Sequence, residues 1–288
     1  MNVQGHVGRM TLREKCAQMV FMEHRFGEDD PDRTSQLVRK DGVGGMLLVG
    51  GSVFEVPPFV NWAQKVAKFP MLMTADYAKG PGAQVQGATV FPEARSAEAA
   101  HTRGRLIGVE ALALGVRMVL WPRGPHLKSE LEGLHFSKAA VCLRDLPGSG
   151  EELDGVLLPN QVLPELDDET PVALSRAAVL GTLRRELRFE GLVLTTAVSE
   201  LKVGPEAPVN AGADILLAPL DPVGDIDRLV EAVKGSRIPE ATVDRAVIRI
   251  LLRKERQGLF GERLTDVVRV EQIVGSDAHR EAARRMEA

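Results

Sequence analysis

Apolar positions along this chain follow two periods in turn. Thr11 and Glu14 form a capping-box pattern, and Leu12, Cys16, Met19 and Val20 then recur at helical spacing. GVGGMLLVGG, from Gly42, is a short apolar run bounded by glycines and predicts a buried strand. A helical pattern over 58–68 carries Val60, Ala63 and Ala67, and PMLMTADY from Pro70 is the next strand. A helix rich in Ala, Glu and Arg covers 93–114, followed by strands at VRMVLWP from Val116, AAVCLRDLP from Ala139 and GVLLPNQVLP from Gly155. The helix over 173–188 has Leu174, Ala178, Leu183 and Leu187 as its apolar stripe. Strands GLVLTTAV from Gly191 and ADILLAP from Ala213 come next. The helix over 241–257 turns Val243, Val247, Ile250 and Leu251 inward, with Gly258 at its C-cap. The last residues, SDAHREAARRMEA, read as one exposed helix.

Strands alternating with helices imply parallel pairing through crossover helices, in an open doubly wound sheet or a closed barrel. Seven strand candidates favour the barrel. The expected fold is α/β: a trimmed or irregular (β/α)8-type TIM barrel in a single domain, with the barrel over 1–276 and a C-terminal helical tail over 277–288. The eighth strand has no place in this pattern, because the segment before Thr11 is too short and polar to supply it.

Composition narrows the function classes. The 288 residues are 44% hydrophobic and 26% charged, as in ordinary globular proteins. A net charge of −4 with both signs interspersed lacks the basic footprint of a nucleic-acid binder. No apolar run reaches the roughly 20 residues that span a bilayer, and the N-terminal stretch lacks the apolar core of a secretory signal, so a cytoplasmic location is expected. Cys16 and Cys142 are far apart in apolar settings and are expected to be buried, reduced thiols. The six histidines show no pair at metal-ligand spacing, so neither a metal nor a cofactor is expected. The glycine clusters at Gly42 and Gly80 lack the spacing of a phosphate loop and are read as turns.

Several segments together resemble the catalytic barrel of family 3 glycoside hydrolases, especially the bacterial β-N-acetylglucosaminidases that recycle peptidoglycan. They are MTLREKCAQM, DGVGGMLLVG, PMLMTADY with GATVFP, ALGVRMVLWP, PVALSRAAVLGTLRRELRFEGLVLT, NAGADILLAP and VDRAVIRILLRKERQGLF. Departures from the family pattern fall at the functional mouth. The resemblance places the nucleophilic aspartate at Thr196 and the acidic residue that often follows it at Ala197. The lysine-His-Phe-Pro-Gly-His-Gly signature reads RDLPGSG here, with Asp145 and Ser149 in place of its histidines. The Asp-x-His element carrying the general acid has no counterpart, and a helix is missing where GSGEELDG runs into the next strand. After Asp76, YAKGPGAQ lacks the usual glutamate and arginine, and Asn160 stands where a histidine is frequent.

Retaining hydrolysis needs a carboxylate nucleophile roughly 5 Å from a proton donor, and a threonine hydroxyl without a base is a poor substitute. The resemblance therefore implies a pseudo-glycosidase with no catalytic residue, one that binds a saccharide or cell-wall fragment or serves as a protein scaffold. Asp76, Tyr77, Trp121, Arg144, Asp145, Asn160, Thr196 and Glu200 are its candidate ligand-facing residues. A mutual or neighbouring ion pair of Arg144 and Asp145 is expected to seal the vacated site, and Tyr77 and Trp121 have packing as their alternative role. The rival reading is an active β-N-acetylhexosaminidase or β-glucosidase with relocated carboxylates, Asp145 acting with Asp76 or Glu200. A third is a structural subunit that uses the face bared by the shortened loops, through self-association or a protein partner.

Overall fold

The structure, a computed structural model, describes residues 3–148 and 150–287. Eight parallel strands run in chain order around a ring: β1 (Val20–Arg25), β2 (Gly45–Val49), β3 (Leu72–Asp76), β4 (Met118–Trp121), β5 (Ala140–Leu143), β6 (Gly155–Leu158), β7 (Leu192–Thr195) and β8 (Leu216–Leu217). Each pairs with the next through β7, and β8 pairs with β1 in the register Val20 to Leu216. A parallel bridge from Leu194 to Ile215 joins β7 to β8 and closes the ring. The fold is the expected (β/α)8 barrel. Its strands are buried almost throughout, so they appear in the sequence as continuous apolar runs instead of alternating ones.

The missing strand lies inside the first helical pattern. The capping box is present, with Thr11 N donating to Glu14 Oε2 at 2.8 Å, but the helix ends at Gln18 and β1 begins at Val20. Met19 and Val20 continue the helical spacing by coincidence, and the polar end of the strand, Glu23-His24-Arg25, concealed it. Residues before Thr11 form a short helix, Val3–Val7. Gly42 takes a left-handed φ of 73°, and a Cβ on Gly44 would collide with the Gln18 carbonyl oxygen, so this cluster is a turn and a close approach. The helix after β6 is π-type over Ala177–Glu186, and the final barrel helix spans Glu240–Arg256 with Gly258 left-handed just beyond it. No helix separates β5 from β6 among the described residues, as the sequence implied.

Two buried charged groups show how the chain ends are tied down. Glu110, on helix Ala97–Ala113, is fully buried. It accepts from Thr89 Oγ1 (2.6 Å) and Thr89 N (3.0 Å), from Gly275 N (3.0 Å) and from His279 Nδ1 (2.8 Å). Burial opposes ionisation, but the donors from His279, Thr89 and Gly275 prevail and hold this carboxyl below its usual range. The helix Asp277–Glu287 is thus anchored, with Ala283 and Met286 buried on one face, rather than exposed all round. Cys16 and Cys142 are buried free thiols.

Lys254 is completely buried and donates to Gln18 Oε1 at 2.6 Å, while Gln18 Nε2 donates to Gly42 O at 3.0 Å. Burial pushes its ammonium pKa down to about 7. Between about pH 7 and the ordinary lysine value near 10.4, the unfolded chain binds the extra proton, so folding stability rises with pH. The buried Cys16, Cys142 and Tyr77, all raised by burial, work in the opposite direction once their unfolded forms ionise, above about pH 8.5. Urea titrations at about pH 7 and about pH 8.5 should show the wild type gaining on the order of 2 kcal/mol relative to Lys254→Met. Parallel pH dependences of the two proteins would show that Lys254 is solvated.

Candidate functional site

Closing a parallel barrel brings all strand C-termini to one rim, where barrel enzymes place their chemistry. Asp76 ends β3, and its Oδ2 accepts from Arg144 Nη1 at 2.5 Å across the end of β4. Its Oδ1 accepts from Ala78 N at 3.2 Å. Asp145 turns the other way and accepts from Arg123 Nε at 2.8 Å. Arg123 also binds Glu151 Oε1 at 2.7 Å through Nη1 and donates to Leu146 O at 2.7 Å. The Arg123 guanidinium holds the Glu151 carboxyl below the usual range, while the two carboxylates raise Arg123 itself. Thr196 follows β7 and donates from Oγ1 to Glu200 Oε2 at 2.7 Å, and Asn160 Nδ2 donates to Glu200 O at 2.9 Å. Six of the eight candidates thus fall into three polar clusters on one rim. Of the two pairings expected for Arg144 and Asp145, mutual or neighbouring, the neighbouring one is present: Arg144 with Asp76 and Asp145 with Arg123.

Tyr77 and Trp121 require correction. Tyr77 is 1% exposed and Trp121 is fully buried, so neither presents a face to a ligand. Trp121 Nε1 donates to Glu130 Oε2 at 2.9 Å, Glu130 Oε1 accepts from Arg103 Nη1 at 2.5 Å, and the Arg103 guanidinium lies 5.1 Å from the Trp121 ring centre. This stack fills space behind the rim and is the packing alternative. Ser149 lies outside the described residues. Sequence reasoning missed Arg123, whose partners are 22 and 28 residues away and carry no spacing signal. It also missed a cavity of about 320 Å³ beside β3 and β4, lined by Lys79, Phe91, Arg103, Arg123, His126 and Glu130 among others.

The chemistry open to this rim is limited. Asp76, Asp145 and Glu151 each spend oxygens on a guanidinium. A proton donor for a leaving group needs a carboxyl that stays protonated, and Arg123 drives Glu151 the other way. Glu200 is the exception: it is exposed and has no ion-pair partner among the described residues.

A polar rim on a closed (β/α)8 barrel defines the architectural class. The family described as the glycosyl hydrolase family 3 N terminal domain matches residues 151–252. No curated protein matches the chain. Among solved structures, it is similar to the beta-glucoside phosphorylase BglX bound to 2FGlc, with TM-score 0.85 and 18% identity, over 99% of this chain and 66% of that one. It is also similar to a family 3 β-N-acetylglucosaminidase from Paenibacillus sp. str. FPU-7, with TM-score 0.83 and 22% identity, over 96% of this chain and 68% of that one. A β-N-acetylhexosaminidase from Beutenbergia cavernae DSM 12333 aligns with TM-score 0.73 and 19% identity, over 85% of this chain and 99% of that one. The chain spans just under two thirds of the phosphorylase's length. At these identities the structural likeness shows the fold alone, and the match of the family 3 N-terminal domain over residues 151–252 agrees with the resemblance read from the sequence.

The Arg123 clamp has a direct consequence for the loop over 144–154. Arg123 holds Asp145 and Leu146 O on one side of the loop and Glu151 on the other, so removing the guanidinium frees both sides and leaves the Gly148 N to Glu151 Oε2 bond of 2.7 Å within it. Arg123→Ala should cost roughly 1 kcal/mol of stability, discounted because the pair is partly exposed. It should also speed proteolysis within 144–154 and exchange of the Gly148 amide. Unchanged cleavage and exchange would show that the loop is held by other contacts.

Proposed function

We propose that this chain is a pseudo-glycosidase: a family 3-like barrel that no longer cleaves glycosidic bonds and uses its rim to hold a saccharide without turning it over. One observation carries this reading. At the end of β7, where the resemblance places the nucleophile, Thr196 donates to Glu200, and the neighbouring rim acids are committed to Arg144 and Arg123. Losing a nucleophile alone typically removes on the order of 10⁴ to 10⁶ in rate. The Arg144–Asp76 pair and the Asn160 and Thr196 amide and hydroxyl groups remain as polar contacts for sugar hydroxyls. The solved relatives include a glucoside phosphorylase, a β-N-acetylglucosaminidase and a β-N-acetylhexosaminidase, which supports a saccharide as ligand class. In this reading the ligand is a cell-wall fragment encountered in the cytoplasm. The barrel over 1–276 is the functional unit and 277–288 its clasp. The protein-scaffold variant of the same reading requires no ligand at the rim.

Glu200 favours one alternative. It is a carboxylate without an arginine partner, 2.7 Å from the hydroxyl at the nucleophile position, and it would be the relocated acid of an active β-N-acetylhexosaminidase or β-glucosidase. Aryl β-N-acetylglucosaminides and β-glucosides should be released at the background rate by the wild type. Calorimetric titration with N-acetylglucosamine and anhydro-muropeptides should give saturable binding that Arg144→Ala weakens. Turnover abolished by Glu200→Gln would replace the proposal with the alternative. Absence of both turnover and binding would leave the scaffold.

A further inference from the structure

The face of the barrel opposite the rim carries an independent feature. A crossover helix between β5 and β6 would pack outside these strands, between helix Leu127–Ser137 and helix Ala177–Glu186. Residues 144–154 make the crossing without one among the described residues, and the space is left open at the N-terminal ends of β6 and β7. Two adjoining cavities of about 510 and 460 Å³ lie there and share Asp154, Arg188, Phe189 and Arg256 in their walls. His135 enters from the first helix, and Leu187 and Arg188 from the end of the second.

We propose that this cavity is a binding site for the phosphoryl group of a small molecule. Five guanidiniums line the larger cavity: Arg184, Arg188, Arg249, Arg253 and Arg256. Three carboxylates oppose them. Asp214, fully buried, accepts from Arg184 (2.6 Å) and Arg249 (2.9 Å), and Asp154 takes Arg253 and lies 3.4 Å from His135 Nε2. Glu190 is exposed at the mouth. The C-terminal ends of helices Ala177–Glu186 and Glu240–Arg256 approach the same place, and each adds about half a negative charge. Five positive charges against three carboxylates and about one unit of dipole leave the larger cavity with a small positive excess. The adjoining cavity adds Glu151, which Arg123 neutralises, and the exposed Glu152 at its edge.

The surplus is located. Arg188 and Arg256 are exposed and have no ion-pair partner among the described residues, and the buried Nε of Arg184 has no hydrogen-bond partner. Guanidinium forks from separate elements match the several oxygens of a phosphoryl dianion, which satisfies more donors than a single carboxylate does. The cavity is large enough for a small molecule, and Phe189 and Leu252 give its body an apolar wall.

The inference does not rest on the reading of the rim. Its test is calorimetric titration of the full chain at low salt with pyrophosphate and with adenosine diphosphate, comparing wild type, Arg188→Ala/Arg256→Ala and Thr196→Ala. Saturable binding of either probe is expected, weakened about tenfold or more in the double variant, weakened by added salt and unchanged in Thr196→Ala. Both arginines are exposed and have no ion pair among the described residues, so the variant should melt like the wild type. Absence of saturable heat from either probe, or equal affinity in the folded double variant, would overturn the assignment.

Discussion

Ring closure governs this molecule. β8 is only two residues long, yet it pairs with β1 on one side and is bridged to β7 through Ile215 on the other. Without that seam the parallel strands would form an open sheet with two edges of unpaired N–H and C=O groups. Side chains reinforce it: Asp214 receives Val193 N as well as two arginines, and Leu217 N donates to Thr195 Oγ1 at 3.1 Å. Because the strands are parallel and the ring is closed, their C-terminal ends share one rim and their N-terminal ends the other. Every functional statement about the chain follows from that division.

Three carboxylates at the C-terminal rim are committed to guanidiniums, and among the described residues Glu200 is not. Asp76 with Arg144, and Asp145 and Glu151 with Arg123, are partly exposed pairs that contribute little stability individually. Their effect is to fix side chains and occupy carboxylate oxygens. Trp121, Glu130 and Arg103 form a buried stack beneath them, and this gives the rim a rigid floor. On the opposite face no helix crosses from β5 to β6 among the described residues, and five guanidiniums line the space beside the N-terminal ends of β6 and β7.

Most of the barrel was legible because a parallel strand covered on both faces must be a continuous apolar run, as in β3, β4 and β5. β1 was not, because only its first half is apolar and its polar end, Glu23 to Arg25, joins the rim. The helix over 277–287 was visible from its pattern. Its partner was not: nothing near Glu110 in sequence indicates that His279 and Gly275 will reach it from the far end of the chain. At the site, Asp76, Arg144, Thr196 and Glu200 were legible from their positions at strand ends. The pairing of Arg144 and Asp145 was not, because consecutive residues leaving a strand point to opposite sides and so find different partners. Tyr77 and Trp121 illustrate the same limit, since a strand-end aromatic faces either ligand or core and spacing alone does not choose.

The central proposal is that no side chain of the rim forms a glycosyl–enzyme bond. Intact-mass analysis after prolonged incubation with 2-deoxy-2-fluoro-glucosyl fluoride, and with a 5-fluoro glycosyl fluoride of N-acetylglucosamine that keeps the C2 acetamide, tests this most directly, because such reagents accumulate the covalent intermediate of a retaining enzyme. The account predicts an unmodified mass. A stoichiometric adduct, mapped by peptide analysis to Glu200, Asp145 or another rim carboxylate, would contradict it.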